Sequence, residues 1–224
     1  MRRIRKSAEP AALSDWKSKI RPRGSIPPWR DFPDPPRGDV RRALARDQGY
    51  LCCYCAGAIA RGNFRIEHFR PRADFRHLTY RWDNLLASCE ISRATPTDTL
   101  VIETQLHCDH AKANWFEEGV TVSPLTAAVE NVFRFTLLGK VFPSKALRAR
   151  KAHIQTMIDQ LNLNAPILVA RRYKILGQAN ADVATLSRAE WVERYLRPGA
   201  SGQFQEFLPA LEYNYDKHWS GMFA

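Results

Sequence analysis

The chain has 224 residues, 45% hydrophobic and 25% charged, with a formal net charge of +11. That supplies one sizeable core, or a core with a small appendage, and no apolar run is long enough to span a bilayer. The basic N-terminus lacks the apolar stretch and cleavage site of a secretory signal, and Glu9 and Asp15 interrupt a transit-peptide pattern, so a cytoplasmic protein without membrane contact is expected.

Residues 1–38 form a basic arm rich in Pro and Arg ("RPRGSIPPWRDFPDPPRG"), expected to be extended with few regular elements. Residues 1–50 hold 13 Lys/Arg against 6 Asp/Glu, whereas residues 51–112 are nearly balanced at 8 against 7. Such asymmetry suits a polyanionic partner, and equally a solvated arginine-rich surface. A helix is predicted over 39–50 with Asp39 as its N-cap and Val40 and Leu44 inward. The cysteine turn "LCCYCAGAI" follows, then a strand in "GNFRIEHFRP" and a second apolar element in "LTYRWDNLLASC". Residues 90–107 read as a polar insert, and "CDHAKANWF" as a short helix with Asp109 near its start. Short strands are expected in "GVTVSP" and in "VFRFTLLGKVFPS", the latter turning at Gly139. From about Lys145 the period becomes helical, with Leu147, Ile154, Met157, Ile158 and Leu161 on one face. Further helices are expected in "PILVARRYKILGQANADVATL", "RAEWVERYL" and "QFQEFLPALEYNY". His153 reads as a surface residue, because no partner clusters with it.

The five cysteines, Cys52, Cys53, Cys55, Cys89 and Cys108, all lie in the first half of the chain. An odd number in an intracellular chain argues against a disulfide framework. Buried apolar thiols would explain any one of them. The Cys52-x-x-Cys55 spacing is that of a knuckle holding two thiolates on one tetrahedral zinc, and Cys89 and Cys108 complete a four-thiolate set if the residues between them loop out. Cys53 is then a bystander, and His107 is an alternative to Cys108. Between the halves of this set stand Glu67 and His68; strand neighbours point to opposite faces, so either one is buried and the other solvated, or both face a shared site at the strand end, which breaks at Pro71. Asn84, Asp109, His110 and Lys112 follow. A strand pair and a helix that brought these together could hold a divalent ion between Glu67 and a helix residue, with His68 beside it to take a proton from water.

Residues 46–114 resemble an HNH nuclease. The set "RDQGYLCCYC", "IEHFRPR", "YRWDNLLASC", "CDHAKAN" and "LNLNAPILVAR", with the opening "MRRIRKSAEPAAL", is similar to the PtuB-like HNH endonucleases of Septu and retron anti-phage systems. The resemblance is strong over the core and looser over the C-terminal helices. It implies an α+β fold: a ββα-metal core with a structural zinc at 39–118, then short strands and a mainly helical region at 119–224. It further implies His68 as general base and Asn84 as the residue fixing its loop. Glu67 with Asp109, or His110 in its place, would bind the catalytic Mg²⁺ or Mn²⁺, and Zn²⁺ would sit on Cys52, Cys55, Cys89 and Cys108. Lys112, Arg70 and Arg72 would meet phosphates. Many HNH enzymes carry His or Asn directly after the last cysteine; here Asp109 stands there, with oxygen donors suited to a hard cation.

The expected activity is therefore hydrolysis of nucleic acid, DNA before RNA, against the alternative of a zinc-stapled binding module without catalysis. Trp29, Trp82 and Trp115 could stack on bases but weigh more as core or interface. The resemblance also implies an SMC/ABC-type ATPase partner. Residues 145–224 are expected to dock it, with Trp191, Tyr195, Phe204 and Tyr213 as candidate anchors, each weighed against a place in the protein's own core.

Overall fold

A computed structural model of the chain describes residues 1–20, 26–59, 64–90 and 106–223. Most of the polar insert expected at 90–107 lies outside them. Strands β1 (Phe64–His68) and β2 (Leu85–Cys89) form an antiparallel hairpin with Phe64 opposite Cys89 and His68 opposite Leu85. Alternation along β1 sends Phe64, Ile66 and His68 to one face and Arg65 and Glu67 to the other. β2 is apolar on both faces because both are covered. Leu85 and Leu86 are fully buried, each contributing roughly 1.5–3 kcal/mol of hydrophobic stabilisation relative to exposure.

Helix α1 (Ala11–Ile20) packs on helix α2 (Pro36–Asp47), which packs on the hairpin. Helix α1 corrects the expectation of an extended arm: Leu13 is fully buried, and Trp16 and Ile20 pack on the same core. Their i, i+3, i+7 spacing is a helical stripe, masked in the sequence by the Pro/Arg-rich stretches around it. Helix α2 begins three residues before the predicted Asp39 cap, with Pro36 in its first turn. Proline needs no N–H there and its φ is already helical. A short 3₁₀ turn at Trp29–Asp31 lies between the two helices.

Helix α3 (Asp109–Lys112) is a single turn against the other hairpin face. Cys108, which precedes it, takes a left-handed φ of 58°, a costly conformation for a residue with a Cβ. It is held there by its amide donating to the Leu161 carbonyl and by its place among the other cysteines. Residues 119–124, expected as a strand, run as turns, with Val120 and Val122 buried.

Strands β3 (Phe133–Phe135) and β4 (Val141–Pro143) form the second hairpin, turning at Gly139. There φ is +81° and an added Cβ would come within 2.4 Å of the Val169 carbonyl oxygen, so only glycine fits. Helices α4 (Lys151–Gln160), α5 (Pro166–Asp182), α6 (Arg188–Leu196) and α7 (Leu208–Asn214) follow, ending in a π-turn at Tyr215–Trp219. Ser187 caps α6 in a full capping box with Glu190.

These C-terminal helices share one hydrophobic cluster with the first hairpin, running from Met1 through Leu85 to Trp219. Phe204 and Phe207 donate their amides to Gly49 and Ala56, on either side of the cysteine turn. Trp191 and Tyr195 are interior residues, the core place weighed against their role as docking anchors: Trp191 packs with Tyr195, Tyr215 and Trp219. Phe204 is half-buried beneath the Arg2 guanidinium, and Tyr213 is half-buried against Phe135.

Candidate metal centre and hydrolytic site

The chain folds Cys52, Cys55, Cys89 and Cys108 into one cluster in which all four Sγ atoms lie within 4.8 Å of one another. Cys52 to Cys108 is 3.7 Å and Cys55 to Cys89 is 3.9 Å. A tetrahedral zinc with arms of about 2.3 Å to sulfur sets sulfur–sulfur edges near 3.8 Å, whereas a disulfide needs about 2.05 Å. The thiols are free and buried, so distances and donor chemistry fit Zn²⁺.

His107 takes no place in the four-residue set. Its Nδ1 lies 3.2 Å from Cys108 Sγ and 3.6 Å from Cys89 Sγ, at the cluster's edge. Cys53 is buried outside the set, its amide donating to the Ala87 carbonyl. Arg172 is a contributor the sequence did not reveal. Fully buried in α5, it donates to the Gly139 and Leu163 carbonyls. Burial lowers its pKa to about 10, while the nearby Cys55 and Cys108 oppose that shift. Four thiolates on Zn²⁺ carry a formal charge of −2, and a buried guanidinium beside them offsets part of it.

Glu67 and His68 are both buried, 7% and 6% exposed, on opposite faces of the hairpin's end. On the α3 face, Glu67 Oε1 accepts from the Tyr54 hydroxyl at 2.8 Å and pairs with Lys112 Nζ at 2.9 Å. Burial raises the Glu67 pKa, with Lys112 pulling the other way. Lys112, only 2% exposed, also donates to the His68 carbonyl at 3.3 Å, so its ammonium points inward to the hairpin. Asp109 receives Arg65 Nε at 2.9 Å on one oxygen, while its buried Oδ1 has no hydrogen-bond partner. Burial raises its pKa to about 6, against the pull of Arg65. His110 turns toward Glu90, with Nε2 at 3.4 Å from Oε1. Among the described residues only the cysteines form a group of three or more donors in metal-binding proximity; Glu67, Asp109 and His110 do not.

On the opposite face, His68 Nε2 lies 3.0 Å from the Thr79 carbonyl oxygen. A carbonyl can only accept, so Nε2 carries the proton and Nδ1 keeps the lone pair. The ring packs edge-on against Trp29 at 4.5 Å. Desolvation, helped by the Arg72 cation, lowers its pKa to about 3, leaving a neutral imidazole at pH 7. Asn84 locks the adjoining loop: Oδ1 accepts from the Arg70 amide, and Nδ2 donates to the Arg70 and Leu78 carbonyls. Arg70 pairs with Glu118 at 3.1 Å, and Arg72 approaches the Trp29 ring.

Tyr54, Arg65, Thr79 and Trp29 thus join the constellation. Tyr54 carried a usable signal: a residue inside C-x-x-C that does not bind metal must point elsewhere, here into the hairpin. Thr79 acts through its backbone, which no residue type announces. Trp82 is buried beneath Lys6 Nζ, and Trp29 and Trp115 pack against the core.

No family model matches the chain. It is similar to retron-associated proteins named for HNH endonuclease activity. One is "Retron Ec83 putative HNH endonuclease" of Escherichia coli, 29% identical over 215 residues, covering 80% of this chain and 81% of that protein. Another is "Retron Vc95 putative HNH endonuclease" of Vibrio cholerae serotype O1 biovar El Tor, 27% identical over 140 residues, covering 60% and 62%.

Proposed function

We propose that this protein is a metal-dependent HNH endonuclease that hydrolyses phosphodiester bonds in DNA. In this reading it is the nuclease of a PtuB-like, retron-type anti-phage system and works with an SMC/ABC-type ATPase. The endonuclease reading is supported by both relatives; the DNA substrate and the ATPase rest on the motif resemblance. The observation that carries the chemistry is an imidazole whose Nε2 is held by the Thr79 carbonyl, leaving the lone pair on Nδ1, at the end of a hairpin stapled by four cysteines.

In this reading His68 Nδ1 accepts the proton of the attacking water, and the Thr79 carbonyl stabilises the imidazolium that results. Asn84 keeps the loop from Arg70 to Leu78 in place around it. Glu67 and Asp109 would hold Mg²⁺ or Mn²⁺, and the unpartnered Asp109 Oδ1 fits that role. When bound, such an ion neutralises the scissile phosphate and the leaving oxygen. Lys112 and Arg65 favour the ionised form of the two carboxylates, and Arg70 and Arg72 flank the base as phosphate contacts. Among the described residues, no helix is long and apolar enough to cross a membrane.

One observation favours the second reading, a non-catalytic binding module. Glu67 is satisfied by Lys112 and Tyr54 and Asp109 is paired with Arg65, a network that is self-sufficient on one carboxylate and nearly so on the other. Incubation with supercoiled plasmid, with Mg²⁺, Mn²⁺ or chelator, separates the two. Divalent-dependent nicking is expected; binding without cleavage, with or without the ATPase, would select the module.

A further inference from the structure

Phe64 and His68 share one face of β1. At about 3.3 Å per residue, the four steps between them span ~13 Å. At the Phe64 end the hairpin meets α2 in an open groove of about 490 Å³ lined by Arg41, Arg42, Ala45, Arg46, Tyr50 and Phe64. Its floor is apolar and its rim carries three guanidiniums. The Arg41 guanidinium lies over the Phe64 ring at 4.3 Å. Arg42 and Arg46 have side chains 72% and 67% exposed. Their acidic neighbours differ in hold, close on Arg42 and distant on Arg46. Asp39 bridges Arg42 on the solvent side, and Asp47, 3.9 Å from Arg46, already accepts two hydrogen bonds from Ser7.

We infer that this groove is a binding site for a single strand of nucleic acid, with a base against Tyr50 and adjoining phosphates on Arg42 and Arg46, leading toward His68. Exposed guanidiniums beside an aromatic ring meet the two needs of an unpaired strand, charge along the backbone and a flat apolar surface for a base. A solvated arginine face would need no apolar floor between its cations. The inference rests on the hydrolytic reading for its direction along β1, not for the binding itself.

The test uses the full chain and a fluorescent single-stranded oligonucleotide of mixed sequence, read by anisotropy across a salt series. The variants are R42E/R46E and a control with the same charge change on the distant surface, K145E/R148E. R42E/R46E is expected to weaken binding at least tenfold and to flatten the dependence on log[salt] by one to two ions, with an unchanged melting curve. K145E/R148E is expected to weaken it less than threefold. R42K/R46K should restore most of the affinity. No binding by the wild type, or equal loss in both glutamate variants, would overturn the groove. Hydrolysis of bis(4-nitrophenyl) phosphate by the wild type, an ester too small to use the groove, tests the hydrolytic reading separately. Its absence in the wild type would count against the hydrolytic reading, whatever the binding result.

Discussion

The hairpin β1–β2 has a sulfur corner and a carboxylate–histidine end, and the two solve opposite problems. At the sulfur corner four cysteines from three separated segments converge at tetrahedral spacing, with few competing partners beyond His107 and Ser88. At the other end the ionisable side chains have protein partners, Glu67 with Lys112 and His68 with Thr79, while Asp109, beside the sulfur corner, pairs with Arg65. A structural site gains by binding its ion permanently, because that binding energy is folding energy. A reactive site must hold carboxylates in place whether or not an ion is present, and buried cations do so without collapse.

The largest effect should come from the sulfur corner. C55S/C108S is expected to drop bound zinc from one per chain to none, and to lose several kcal/mol of stability, read as zinc content and a fall in Tm of ten degrees or more. Retention of zinc and Tm would show that the cluster is merely four packed thiols. Lys112→Met comes next. It strands the Glu67 carboxylate in the interior and should cost about 3–5 kcal/mol, most of it recovered in E67Q/K112M. Denaturant unfolding of the double-mutant cycle measures this, and additive losses would mean that the pair does not act as a unit.

The pH dependence sharpens the contrast. The unfolded chain protonates His68 near 6.5, whereas the folded chain resists to about 3. Its contribution to stability is therefore full above pH 6.5 and is lost as pH falls toward 3. Asp109, raised from 3.8 to about 6, acts in the opposite sense: the fold takes up that proton first, so stability is gained as pH falls from about 6 to 3.8. His107, lowered to about 4, acts in the same sense as His68. Without added Mg²⁺, the fall in Tm between pH 7 and pH 5 should be smaller in H68Q than in the wild type, and an identical slope would contradict it. The smallest effect belongs far from the hairpin. Ser187→Ala removes the α6 cap and should cost about 1 kcal/mol, leaving cleavage unchanged.

Much of the hairpin was legible because its residues carry chemistry in their type. Cysteine spacing pointed to the sulfur set, and alternation in FRIEH directed Glu67 and His68 to opposite faces; the expectation that the strand end brings both to one site met two buried residues, each with partners of its own. What sequence could not supply was the company these residues keep. Lys112 was expected to meet a phosphate, but packing α3 on the hairpin buries it and turns its ammonium inward to Glu67. Sequence left Trp191 and Tyr195 between docking anchors and core, and only packing against α5 and the Tyr215–Trp219 turn places them inside. Helix α1 was hidden by composition, since proline and arginine around it outweigh a stripe of only three apolar residues. Arg172 was invisible for the opposite reason: nothing in a run of helix formers marks one arginine as buried against carbonyls and thiolates.

The central claim is that His68, oriented by Thr79, is the base of a phosphodiester hydrolysis. Its most direct test is the rate of supercoiled plasmid cleavage in Mg²⁺ or Mn²⁺ by the wild type and by His68→Ala, both checked for bound zinc and intact fold. Metal-dependent cleavage is expected to fall by about 10²–10⁴-fold in the variant while zinc content stays the same. Cleavage at equal rates by the two proteins would place the chemistry elsewhere and contradict it.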